Sequence, residues 1–188
     1  MPTYDARSAH ELEVRADPAT VYRALLTADF RRNPVVATLM AMRAIPAVLL
    51  APRRALARWR ARNSQPPPGP MGTLLAGHFA LLAEQPPTEV TFGLTGRFWM
   101  PLGELVATDP ARFRDQLPPG LARAAWNFHL VPLAPGRTRL STETRVACAD
   151  PPTRRAFLRY WRIIRVGSAL IRLALLRQVK YAAEHAGV

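Results

Sequence analysis

Apolar side chains recur at helical spacing over the last long stretch of the chain, from Asp150 to about Ala186. On a 3.6-residue period Phe157, Tyr160, Trp161, Ile164, Ser168, Ile171, Leu175, Gln178, Val179 and Ala182 share one face, and Arg155, Arg159, Arg162, Arg177 and Lys180 fall opposite. Asp150-Pro151-Pro152 supplies an N-cap and two residues whose fixed φ suits a first turn, so the pattern predicts one long amphipathic helix. Such a helix would run about 50 Å, more than a small domain needs for its own core. Its apolar face must therefore lie across something broad, such as a sheet. Val166, Leu170 and Leu173 interrupt the arginines on its back, which suits packing on another helical segment, a second subunit or an anionic bilayer.

Upstream the period alternates between helix and strand. Ser8 to Ala16 reads as a half-buried strand with His10, Leu12, Val14 and Ala16 on one face and Glu11, Glu13 and Arg15 on the other. Asp17-Pro18 then caps a helix carrying Val21, Tyr22, Leu25 and Leu26. A second helical segment is expected from about Pro34 to Arg62, hinged near Pro46 or Pro52, and Gln65 to Pro70 reads as a stiff surface loop.

From Gly72 the period is two. Leu75, Phe79 and Leu81 alternate with Ala76, His78 and Ala80. After a turn over Glu84 to Thr88, the apolar face returns as Val90, Phe92, Leu94 and Phe98. Asp109-Pro110 predicts a short helix around Arg112, Phe113 and Gln116. A second hairpin joins Ala124–Leu133 to Thr138–Cys148. Trp126, Phe128 and Leu130 lie opposite Leu140, Thr142, Thr144 and Val146 on one face, and Asn127, His129, Ser141, Glu143 and Arg145 share the other. The expected fold is α+β: a curved antiparallel sheet with two helical segments between its first and second strands and the long C-terminal helix laid across its concave face.

Composition narrows the function classes. At 188 residues the chain suits a single domain spanning 1–188 that buries roughly 70% of its unfolded surface. The formal charge of +13 raises nucleic acid or an anionic membrane as partners. Lys180 is the only lysine, however, and the many arginines are scattered without interleaved aromatic residues. That pattern argues against a nucleic-acid platform and fits codon bias equally well. Cys148 is the only cysteine, so no internal disulfide forms, in keeping with a reducing, cytoplasmic setting. The four histidines have no metal-binding spacing, and neither a metal nor another cofactor is expected. Met1 to Ala16 lacks the apolar run of a signal peptide. The apolar stretch from Pro34 to Pro52 is broken by Arg43 and Pro46 and is too short to span a bilayer, which leaves peripheral contact with an anionic surface open. Oligomeric state is not legible.

Catalytic residues do not stand out. His129 and Glu143 form a conceivable base and carboxylate pair, but alternation puts both on the outer face, where a cross-strand surface pair is the simpler reading. His78 faces away from Phe79 and Leu81; His10 shares the inward face of its strand. The polar groups expected to point inward, Thr142, Thr144, Tyr160, Ser168 and Gln178, suit recognition better than proton transfer. Arg154, Arg165 and Arg172 lie along one edge of the helix stripe. There they either hold a carboxylate or phosphate head group or snorkel into water.

The order of elements, the Asp17-Pro18-Ala19-Thr20-Val21 helix start and the runs Gly96-Arg97-Phe98-Trp99, Leu140 to Val146 and Phe157-Leu158-Arg159-Tyr160-Trp161 resemble the START/SRPBCC superfamily with its helix-grip, Bet v 1-like fold. Within it they resemble a polyketide-cyclase-like bacterial subgroup. The resemblance covers essentially the whole chain and implies an apolar cavity between sheet and helix. Its expected lining is Phe79, Phe92, Trp126, Phe128, Leu130, Thr142, Thr144, Tyr160, Trp161, Ile164, Ser168 and Ile171. The cavity would bind a lipid, polyketide or isoprenoid-like molecule; the alternatives are a cyclase or dehydratase acting on such a ligand and a basic membrane-surface or interaction module.

Overall fold

The computed structural model describes residues 1, 3–29, 33, 34, 37, 38, 41, 53, 79–100, 103 and 105–186. Apart from isolated positions, the helical segment expected over Pro34–Arg62, the proline loop after it and Leu75, Ala76 and His78 lie outside the described residues.

Strand β1 (Ala6–Val14) begins two residues before its expected start and alternates as read, with Ala6, Ser8, His10, Leu12 and Val14 on the inner side. Asp17 then caps α1 (Pro18–Thr27) by accepting from the Thr20 amide at 3.0 Å, and Val21, Tyr22, Ala24 and Leu25 are buried. The strands β2 (Ala80–Gln85), β3 (Glu89–Gly96), β4 (Leu105–Val106), β5 (Ala122–Ala134) and β6 (Arg137–Cys148) follow. They form an open, curved antiparallel sheet in the order β1-β6-β5-β3-β2, with β4 pairing β3 at one end. Helix α2 (Pro151–Glu184) packs against β1, β6 and α1. The architecture is the α+β helix-grip arrangement that the period changes predict.

Two local expectations change, and one short strand is added. Leu81 does pair with Phe92 across β2 and β3, but β2 is an edge strand and leaves Leu81 38% exposed. The segment expected as a short helix is a series of tight turns, closed by Arg112, Phe113 and Asp115 amides donating three residues back. They place Phe113 over Gly93 on the outer face, where a Cβ would meet its ring at 2.8 Å. Strand β4 has only two residues, too few for a periodic signal.

The start of α2 is fixed by Asp150. One carboxylate oxygen accepts from the Thr153 amide at 2.8 Å; the other accepts from the Thr153 hydroxyl at 2.9 Å and the Gly120 amide at 2.6 Å. The cap thus joins the helix to the loop that enters β5. At the far end Lys180 donates to the Glu13 carbonyl and Glu184 accepts from the Arg15 amide, which holds the last turns against the end of β1. Gln178 donates to the Asp29 carbonyl at 2.9 Å and accepts from Asn33, so it fastens the end of α1.

Among the described residues the core forms two clusters. The larger surrounds α1 and the C-terminal half of α2, with Phe92, Phe128, Leu130, Leu140, Leu176 and Val179 at its centre. The smaller joins Phe157, near the start of α2, to Ala6, Leu94, Ala122, Ala124 and Val146. Within α2 no residue between Phe157 and Leu175 is fully buried.

Candidate functional site

The unburied middle of α2 faces the sheet with Trp161, Ile164, Ser168, Ile171 and Arg172, all half-buried. Opposite lie the inner positions of β1 and β6. Their register sets Ser8 beside Thr144 and His10 beside Thr142, so a polar group interrupts the apolar inner face. Thr142 is satisfied: its hydroxyl accepts from Trp126 Nε1 at 2.6 Å and donates to the Asn127 carbonyl at 2.8 Å. That hydroxyl orients the indole. Phe79 meets Trp126 edge-on with centroids 5.8 Å apart and is packed against both cores.

Arg172 is the most unusual group here. Its Nε and Nη2 both donate to Thr144 Oγ1, at 3.2 and 2.7 Å. Its Nη1 donates to the Ser168 carbonyl at 3.1 Å and to the Ser168 hydroxyl. All these partners are neutral. Burial pulls its pKa down to about 10, which still leaves it cationic near neutrality. No carboxylate ion-pairs with it among the described residues.

His10 accepts from or donates to Ser8 Oγ at 3.1 Å. Burial, and then the charge on Arg172 from α2, lower its pKa below the usual histidine range. Its neighbour on β6, Thr142, is uncharged. The unfolded chain then takes up a proton near pH 6.5 that the folded chain accepts only at lower pH, so stability falls as pH drops through 6.5. The imidazole resonance followed by NMR is expected to titrate below 6.5 in the native protein and to move up in Arg172→Met. An unchanged resonance in that variant would separate the two side chains.

The remaining expected site residues divide. Phe92, Phe128 and Leu130 are sealed in the larger core, and Trp126 is nearly so. Tyr160 and Trp161 lie against Phe157 in the smaller one. Arg154 is engaged with Asp5 at 2.7 Å, and Arg165 is exposed. At 1.5 Å per residue Arg154 and Arg165 stand roughly 27 and 10 Å from Arg172 along the axis, so the three do not converge. The expected His129–Glu143 surface pair does not form. Glu143 instead accepts from Arg7 and Arg145, both at 2.6 Å, and His129 is exposed opposite Ser141. Burial raises the Cys148 thiol to about 12, with Asp5 adding to the shift, which favours the protonated thiol near neutrality.

Among the described residues no set of three histidine, cysteine or carboxylate side chains is placed to hold a metal, and no helix is long and apolar enough to cross a membrane. Ile163, Val166 and Leu170 are exposed on the back of α2 beside Arg159 and Arg162. Two open depressions lie away from the inner face. One of about 570 Å³ is on the outer side of the sheet, over Glu89, Asn127, Glu143 and Phe113; the other, of about 610 Å³, sits beside Glu13, Arg137 and Lys180.

Sequence reading missed the depth of Arg172, because an edge position on a helical wheel does not say whether the guanidinium turns inward. The signal available was the alternation that put His10 on an inner face, with Ser8 two residues before it. No family model matches the chain, and no curated protein matches it. Solved structures similar to it include a protein of Thermus thermophilus, 10% identical over 97% of this chain and 100% of that one, with TM-score 0.36. The Zhui aromatase/cyclase of Streptomyces sp. R1128 is 13% identical over 97% and 98%, with TM-score 0.37. A protein of Arthrobacter aurescens is 14% identical over 94% and 85%, with TM-score 0.38. Likenesses this distant say nothing of chemistry, which rests on the side chains described above.

Proposed function

We propose that the chain binds a hydrophobic or amphipathic small molecule, of lipid, polyketide or isoprenoid-like character, between the sheet and the middle of α2. The observation that carries this reading is the division of the core among the described residues: apolar side chains are buried at both ends of the helix, while Trp161, Ile164 and Ile171 on the sheet side between them are only half-buried. An apolar ligand laid there gains roughly 25 cal/mol per Å² removed from water, before binding costs. Ile164 and Ile171 supply surface from the helix and Phe79 from the residue just before β2.

Native mass spectrometry of the freshly purified protein, followed by denaturation, is expected to release a hydrophobic compound in defined stoichiometry. If the protein is empty, the neutral probe N-phenyl-1-naphthylamine is expected to bind and brighten. Failure of both would mean that the two cores close on each other in solution and would remove the reading.

A second reading, an enzyme of cyclase or dehydratase type, is favoured by His10. Its imidazole is neutral near pH 7 and sits on the inner face with a cation near enough to depress its pKa, as a proton acceptor beside an anion-stabilising group would. Conversion of the released compound on return to fresh protein, lost in His10→Ala, would promote this reading over simple binding.

A further inference from the structure

The neutral surroundings of Arg172 point to the class of ligand, and this step rests on the binding reading above. A guanidinium withdrawn from water is costly unless an anion or a full set of acceptors offsets its charge. Here the acceptors are two hydroxyls and one carbonyl, and one hydroxyl oxygen is shared between Nε and Nη2. The sequence has no aspartate or glutamate between Asp29 and Glu84, so that stretch of the chain cannot supply a carboxylate. The hydroxyls of Thr144 and Ser168 accept from Arg172, which leaves each hydroxyl hydrogen to donate elsewhere. Thr142 differs, since its own hydrogen goes to Asn127.

We infer that Arg172, with the Thr144 and Ser168 hydroxyls, is the anchor for a single carboxylate at the end of an apolar ligand. The arrangement offers one planar cation with N–H donors and two O–H donors, which suits a monoanion. A phosphate dianion calls for more positive charge, and His10, the other titratable group nearby, is neutral near pH 7. The apolar body then runs along Ile164 and Ile171, away from the anchor.

The test compares each acid with its own methyl ester, so that the apolar body is held constant. Dodecanoate and 1-pyrenebutyrate, with their methyl esters, are titrated into the full chain at pH 8 by calorimetry and by tryptophan fluorescence. Each acid is expected to bind about 10- to 100-fold more tightly than its ester, the range for a charged hydrogen bond. In Arg172→Gln the preference for each acid over its own ester is expected to disappear. Arg172→Lys keeps the charge without the fork and is expected to recover part of the preference; circular dichroism confirms that both variants are folded. Equal binding of acid and ester to the native protein overturns the anchor and leaves the binding reading standing. Binding of neither overturns both.

Discussion

Phe157→Ala is expected to destabilise the protein by about 3–5 kcal/mol in chemical denaturation, lowering the thermal midpoint by on the order of 10 °C. Phe157 is 1% exposed and meets Phe98, Trp99 and Trp161 at centroid distances of 5.9, 6.1 and 5.9 Å. It is the deepest side chain in the first turns of α2 and, among the described residues, the only fully buried ring of the smaller core. Alanine is a better helix former than phenylalanine, which leaves packing as the source of the loss. Tyr181→Ala, at a position 67% exposed near the other end of the helix, is expected to change stability by no more than about 0.5 kcal/mol. A loss below about 1 kcal/mol for Phe157→Ala would mean that the start of α2 is not docked on the sheet.

Arg172→Met is expected to act in the opposite sense. Without ligand the variant should be more stable than the native protein by about 1–3 kcal/mol, because a methionine of similar length fills the space without a charge to desolvate. Ser168 keeps a partner, since a serine hydroxyl within a helix can bond the carbonyl a turn earlier, whereas the buried Thr144 hydroxyl loses both bonds from Arg172, which offsets part of the gain. Denaturation of both proteins in parallel, stripped of bound compounds, measures the difference. A destabilisation of several kcal/mol would reveal an internal anion paired with Arg172 and would remove the argument for an anchor. Added stability together with loss of acid preference would mark a charge retained at the expense of the fold, as binding residues often are.

The fold was legible because its elements are long and regular. The 34 residues of α2 between a proline-led cap and the terminal turns leave little room for another reading. The alternation of Trp126, Phe128 and Leu130 against Leu140, Thr142 and Thr144 fixed both the hairpin and its inner face. Local sequence carried less where structure depends on distant partners. Phe113 looked like a helical residue because its role, covering Gly93, belongs to a strand seventeen or more residues away. Glu143 looked like a partner for His129 because both lie outward on paired strands, whereas Arg7 on β1 and Arg145 on its own strand are better placed. The candidate site was half legible. Alternation identified Thr142, Thr144 and His10 as inward, but their roles differ through hydrogen bonds that no period reports: Thr142 serves Trp126, and Thr144 serves Arg172.

The sheet order has a bearing on biosynthesis. Among the described residues β1 pairs only with β6, so Ala6 waits for Val146 and Val14 for Thr138. A nascent chain therefore carries its first strand unpaired while the rest of the sheet is made, and contacts this distant in sequence slow the approach to the native state. The same delay governs the polar cluster: Thr144 comes late, and Arg172 later still. No ribosome-bound intermediate short of α2 can hold it. A carboxylate ligand thus has nothing to recognise until translation has passed the final helix, and it can reward only a chain that has already closed.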